Sequence, residues 1–159
     1  MLMMMMMMGK KMNKFELLIQ ELGQILGISL QGEQGSICKL FIKDKIHLQI
    51  EYDEEAERII LACFVSEIPP GKFREDILSA ALKANYIDPS LGSFAYSENT
   101  QILILQLYLP SSIPPALLGT LLQQFTEKAI TWKDAIEQGN VSRLVSNPGS
   151  SLPSPINLR

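Results

Sequence analysis

The fold is decided by residues 46–65, which read IHLQIEYDEEAERIILACFV. From Ile46 to Asp53, apolar residues alternate with polar ones, and this period of two is typical of a strand with one buried face. The acidic residues Glu54 to Glu57 then form a solvated turn before a second alternating run begins at Ile59. Strands joined by so short a connection pair antiparallel. The stretch therefore predicts the middle of an antiparallel meander.

A third strand and a helix precede this pair. Ser36 to Lys43 also alternates, and Asp44-Lys45 provides a tight turn into the next strand. Further upstream, Asn13 is expected to cap a helix, because its side chain can accept a bond from the first helical turn. The apolar residues that follow recur at spacings of three and four, which places them on one helical face. They are Phe15, Leu18, Ile19, Leu22, Ile25 and Leu26.

Downstream, Pro69-Pro70 ends the meander and a second helix is predicted from Phe73 to Tyr86. This helix is apolar nearly all round, so we expect burial on both sides. In a domain this small, two-sided burial predicts that a second copy of the chain covers one side. A hairpin follows, and its strand 101–109 is apolar on both faces, which predicts a central position. A long amphipathic helix then begins near Ile113 and ends at Gly139.

These elements predict one α+β domain of order α-β-β-β-α-β-β-α, with a twisted antiparallel sheet packed by helices. We assign residues 13–139 to it. Residues 1–12 form a methionine-rich stretch of low complexity that we expect to be disordered, with Met12 as the true start. Residues 140–159 are rich in proline and serine, which predicts a flexible tail. Because the apolar run at the start is too short to span a bilayer and lacks the order of a secretory signal, we expect a cytoplasmic protein without stable membrane insertion.

Charge excludes one class of partner. Between Met12 and Gln138 the chain carries seventeen acidic and ten basic residues, a net charge of −7. Proteins that bind nucleic acid need a basic face to displace counterions from phosphate. We therefore expect no nucleic acid partner.

Catalytic constellations are missing from the sequence. His47 is the only histidine and lies on the polar face of a strand with no nucleophile paired to it. Cys38 and Cys63 fall in apolar strand patterns and are interpreted as buried, reduced thiols. There is no phosphate-binding glycine loop and no metal-ligand spacing. We expect a protein that is not an enzyme and uses no cofactor or metal, although an α+β enzyme whose site escapes motif analysis stays open.

The element order resembles that of the class I type III secretion chaperones of the CesT/SycE type, especially their chlamydial relatives. The residues that carry the resemblance are the Phe15-Glu16-Leu17-Leu18 helix, the Ile46 to Tyr52 strand followed by acids, Pro69-Pro70 leading into Phe73-Arg74-Glu75 and the Ile77 to Leu82 helix, and the terminal Trp132 with Ile136 and Gly139. The likeness spans residues 13–139 and rests on the order of these pieces.

The resemblance implies a homodimer, formed through the second helix and the strand after it. The dimer interface residues are then Leu78, Leu82, Tyr86, Phe94 and Tyr96. A heterodimer with a related chaperone is the alternative.

The resemblance also implies a partner: a secreted effector or gatekeeper protein whose N-terminal segment is bound without nucleotide and kept competent for secretion. The expected partner-binding residues are Leu17, Ile28, Phe41, Ile60 and Phe64. The alternative for these residues is that they cover helices packed on the same sheet face. The alternative for the function is a cytosolic regulator of the same fold that binds a transcription factor or another housekeeping protein.

Overall fold

The computed structural model describes residues 13–30 and 35–145. Its helices and strands confirm the predicted α+β domain and the order of its eight main elements. In chain order these eight are α1 (Lys14–Leu26), β1 (Ile37–Ile42), β2 (Ile46–Asp53), β3 (Arg58–Glu67), α2 (Lys72–Ile87), β4 (Ser93–Ser97), β5 (Ile102–Pro110) and α3 (Pro115–Glu137). A short ninth element, α4 (Ser142–Val145), follows them.

The boundaries of α1 follow from its end residues. The Asn13 side chain accepts a hydrogen bond from the backbone N–H of Glu16 at 2.7 Å, which satisfies one of the unpaired donors of the first turn. At the other end Gly27 adopts a left-handed conformation with φ of 71°, which costs glycine little. The Asn13 side chain also donates to the carbonyl of Gly35 at 2.9 Å, which ties the start of α1 to the start of β1.

The five strands form one antiparallel sheet in the order β1-β2-β3-β5-β4. Strand β5 therefore pairs on both sides, as its two apolar faces predicted. Opposed residues of antiparallel strands share a face of the sheet, so the register divides the side chains into two sets. A break in register between Phe64 and Ser66 interrupts the pairing of β3 with β5.

One face of the sheet forms the core with α1 and α3. Its strand residues are almost completely buried, among them Leu48 and Leu61, and they join Phe15 of α1 and Phe125 of α3 in a single cluster. No described helix covers the opposite face, which we call the outer sheet face. On it the side chains of Phe41 and Tyr108 are each 53% exposed.

Helix α2 lies along β4, at one end of the sheet. Ile77, Ala80 and Ala81 turn into the core. The side chain of Asn85 bonds to the backbone of Phe94 in β4. The opposite flank of α2 is open to solvent, so only one of its two apolar sides is buried within the protomer.

The folded body extends beyond the predicted limit at Gly139. Val141 and Leu144 pack against the core cluster, and α4 contacts α2. These two residues, three apart, provide an apolar anchor that the surrounding proline and serine content conceals. The remainder of the predicted tail, residues 146–159, and the methionine-rich residues 1–12 lie outside the described residues.

Candidate functional site

A groove opens between the end of α1, strand β1 and the middle of α3, with a volume of about 460 Å³. We call it the α1–β1 groove. Its lining is mostly apolar, with charged and polar side chains at Lys43, Gln123, Thr126 and Glu127. The lining residues are Leu26, Ile28, Leu40, Phe41, Ile42, Lys43, Leu122, Gln123, Thr126 and Glu127.

The one buried polar side chain of this groove is satisfied within its own helix. The Thr126 hydroxyl lies 2.9 Å from the carbonyl oxygen of Leu122 and 3.0 Å from that of Gln123. A hydroxyl that already has partners offers little to a ligand. The groove is thus suited to apolar side chains, with hydrogen-bonding groups of Lys43, Gln123 and Glu127 available around them.

The outer sheet face carries an apolar row that crosses four strands. The register places Phe41 opposite His47, His47 opposite Phe64, and Phe64 opposite Ile104. The rings of Phe41 and His47 lie 4.6 Å apart, centroid to centroid. Because Phe41 also lines the α1–β1 groove, this row joins the groove to the outer sheet face.

A second row crosses the same face four residues away from the first along each strand. It runs from Ile37 on β1 through the charged Glu51 on β2 to Ile60 on β3 and Tyr108 on β5, each opposite the next. The Arg58 guanidinium lies 4.6 Å from the centroid of the Tyr108 ring and also pairs with Asp53 at 3.1 Å. This stacking holds the tyrosine ring beside the cation on the sheet surface.

Between the two rows runs a polar one, in which Ala62 of β3 stands between Gln49 and Gln106. Alanine is the smallest side chain of the three, so the face is lowest at Ala62. Along β3, Ile60 and Phe64 are four residues apart, which separates the two apolar rows by about 13 Å. The outer sheet face is therefore a shallow channel running across the strands, with apolar walls on β3 and β5 and the polar side chains of His47 and Glu51 in those walls on β2.

A third apolar surface lies on α2. Leu82 is 69% exposed and Tyr86 is 89% exposed, and the half-buried Leu78 precedes them at the same four-residue spacing. Residues at this spacing lie on one helical face. We call these three residues the α2 stripe.

The structure separates the ten predicted site residues into groups. Ile28 and Phe41 meet at the α1–β1 groove, and Phe41, Ile60 and Phe64 share the outer sheet face. For these last three, the outer sheet face carries no described helix, so they do not cover one. Leu17 is exposed on the first turns of α1 and is not part of the groove lining.

The residues predicted for the dimer interface also divide. Leu78, Leu82 and Tyr86 form the α2 stripe. Phe94, only 8% exposed, packs in the core against Trp132 with ring centroids 4.1 Å apart. Tyr96 is half-buried beneath the Arg74 guanidinium, which lies 5.3 Å from its ring. Within the protomer, Phe94 therefore offers almost no surface to a second copy.

Sequence reasoning missed part of each surface. Tyr108 and Ile104 belong to the outer sheet face. The sequence indicates that they share a face with each other, because they are separated by an even number of residues within β5. Gln123 and Thr126 line the groove from α3, and no local pattern marks them because the groove forms only when α3 meets β1.

The groups with resolved pKa shifts lie away from these surfaces. Burial raises the pKa of the Cys63 thiol to about 12, so the thiol stays protonated. Burial lowers the pKa of Lys128, and the nearby Asp88 partly opposes that effect. Within residues 13–30 and 35–145, no cluster of three histidine, cysteine or acidic side chains is placed to hold a metal ion. In the same part of the chain, no helix has the length and apolarity needed to cross a bilayer.

Solved structures share the fold, among them the following three. A chain of the ExsC–ExsE complex superposes with a TM-score of 0.63 at 18% identity, covering 79% of this chain and 95% of that one. For the HopA1–SchA chaperone–effector complex the values are 0.62, 17%, 77% and 94%. For the Yersinia pestis type III secretion chaperone SycH, in complex with a fragment of YscM2, they are 0.57, 16%, 74% and 98%.

No curated protein matches the chain in a sequence search. The sequence profile of one family does match, over residues 17–133, from within α1 to near the end of α3. This match includes all five strands and covers well over half of the chain. The protein belongs to the Tir chaperone protein (CesT) family.

Proposed function

We propose that this protein is a cytoplasmic type III secretion chaperone that binds the N-terminal segment of a secreted effector or gatekeeper protein. It would keep that segment competent for secretion without nucleotide. Membership of the family supports the proposal, as do two structural neighbours, one a chaperone–effector complex and the other a type III secretion chaperone. The resemblance of the element order to chlamydial members extends the proposal to that branch of the family.

The observation that carries the proposal is the continuity of the outer sheet face with the α1–β1 groove through Phe41. Contiguous exposed apolar surface on a small domain commonly marks a site for another protein. The apolar row that contains Phe41 and Phe64 meets the α1–β1 groove at Phe41, so a single polypeptide segment can contact both.

The channel on the outer sheet face favours a helical segment. An α-helix with its side chains is about 10–12 Å across, close to the spacing of the two apolar rows. A helix lying over Ala62 would place apolar side chains against Phe64 on one wall and Tyr108 on the other. Gln49 and Gln106 would then lie beneath it and could bond polar residues at its edges. Apolar anchors at helical spacing are the usual mode by which a groove binds an amphipathic helix.

We further propose that the protein is a homodimer assembled through the α2 stripe. An isologous interface about a two-fold axis would bring each stripe against the other. Tyr86 and Leu82 are the two most exposed large apolar side chains among the described residues. Packing them against a second copy would remove from water the most exposed large apolar side chains of the free protomer, which is favourable.

The test is capture of a partner followed by mapping of its site. The tagged protein is incubated with cytosol from the organism that naturally produces it, and bound proteins are identified by mass spectrometry. The expected result is a secreted protein that binds through its N-terminal segment. Phe41→Asp and Phe64→Asp should each abolish capture, since a carboxylate would be buried without a partner.

The matched control is Leu117→Asp. Leu117 is 49% exposed, comparable with Phe41, but lies on α3 outside the groove and the outer sheet face. It should capture the partner as the wild type does. Capture that survives both phenylalanine substitutions, or a partner bound only through a folded domain, would contradict the proposal.

A further inference from the structure

Strand β4 forms one edge of the sheet, since its only strand partner is β5. Edge strands expose backbone donors and acceptors that can template the addition of another strand. The backbone N–H and C=O groups of successive strand residues point alternately to one side of the strand and to the other. In β4 the residues whose backbone groups point away from β5 are Phe94 and Tyr96.

The Asn85 side chain occupies the outward-pointing backbone groups of Phe94. Its Oδ1 accepts from the Phe94 N–H at 2.6 Å, and its Nδ2 donates to the Phe94 carbonyl at 3.0 Å. In an antiparallel sheet, a residue of a hydrogen-bonded pair makes the same two backbone bonds with the residue directly opposite it on the neighbouring strand. The primary amide thus substitutes for one residue of a sixth strand.

The second outward-pointing residue is flanked from the same helix. Arg74 lies over the Tyr96 ring at 5.3 Å, and its guanidinium is fixed by two bonds to the carbonyl of Ile68, at 3.0 and 2.7 Å. Arg74 and Asn85 are eleven residues, or about three turns, apart on α2. The helix is therefore attached beside β4 at both ends of this short strand.

We propose that Asn85 determines which kind of contact is allowed at this end of the sheet, by excluding strand addition at β4. Neither a partner segment nor the β4 of a second copy can pair with Phe94 while the amide holds both backbone groups. Contacts there are restricted to side chains of α2. The inference concerns the protein alone and does not depend on the partner in the proposed function.

The test uses Asn85→Leu, which keeps the approximate size of the side chain and removes both hydrogen bonds. Amide exchange at Phe94 should accelerate at least about tenfold, the factor that about 1.4 kcal/mol of lost protection gives. Light scattering should show species heavier than the wild type that grow with concentration, and infrared spectra should show added intermolecular strand. Asn85→Asp retains the acceptor but loses the donor, so its exchange rate should lie between the two.

Two controls separate edge pairing from a simple increase in apolar surface. Lys83→Leu adds a leucine at an exposed position of the same helix without touching the edge, and should keep the wild-type mass. Adding Ala95→Lys to Asn85→Leu places a charge on the edge strand and should restore that mass, because charged side chains on edge strands oppose pairing. The proposal is overturned if Asn85→Leu keeps the wild-type mass, or if Lys83→Leu assembles equally.

Discussion

Replacing Leu82 by aspartate should dissociate the proposed homodimer and leave each protomer folded. Leu82 is 69% exposed in the protomer, so the carboxylate stays in water once the copies separate. If the α2 stripe forms the interface, about 100 Å² of this side chain is buried per copy, worth about 2.5 kcal/mol. Two symmetry-related copies double the effect to about 5 kcal/mol, which raises the dimer Kd by more than about a thousandfold.

The assay is sedimentation equilibrium over a concentration range of about 1–100 µM. The wild type should be dimeric throughout and Leu82→Asp monomeric, with unchanged far-ultraviolet circular dichroism. Leu117→Asp is the control, since it places the same charge at an exposed leucine off the stripe. Leu82→Ala should give a smaller shift in the same direction. A wild type that is monomeric, or a Leu82→Asp variant that remains dimeric, would refute the reasoning.

Three further predictions concern stability and reactivity. Gly92→Ala should lower the free energy of unfolding in urea by more than about 2 kcal/mol. Gly92 has φ of 98°, and an added Cβ would lie 2.5 Å from the carbonyl oxygen of Gln106. The control Gly139→Ala, at a position with φ of 68° and no atom within 4 Å of the added Cβ, should cost only about 1 kcal/mol. Asn13→Ala should cost about 1–2 kcal/mol in the same titration, since the α1 cap and the bond to Gly35 are both lost. Cys63 should be inert to a thiol reagent at pH 8 in the native protein and reactive in urea, because burial raises its pKa to about 12; rapid native labelling would show that β3 opens.

The elements that the sequence predicted are those whose patterns are local. Asn13 caps α1 because a cap needs only the three residues that follow it. The alternation from Ile46 to Asp53 predicted β2 because one buried face imposes a period of two. The apolar character of β5 likewise predicted its position between two strands.

The features that the sequence did not reveal arise from contacts between distant parts of the chain. The resemblance placed Phe94 in the dimer interface, and no local pattern indicates that its ring packs on Trp132 of α3. The α1–β1 groove joins Ile28 to Thr126, and no periodic pattern spans such a separation. Leu17 stays a predicted partner-binding residue, and its position on α1 lies outside the groove lining.

The measurement that tests the proposed function most directly is the Kd of the captured partner's purified N-terminal segment, determined by titration calorimetry without nucleotide. The wild-type chaperone should bind more tightly than about 1 µM, and Phe64→Asp should weaken binding at least about a hundredfold, since burying an unpaired carboxylate costs about 3 kcal/mol or more. Leu117→Asp should bind as the wild type does. Equal affinity of the Phe64→Asp and wild-type proteins, or no binding by the wild type, would contradict a partner site on the outer sheet face.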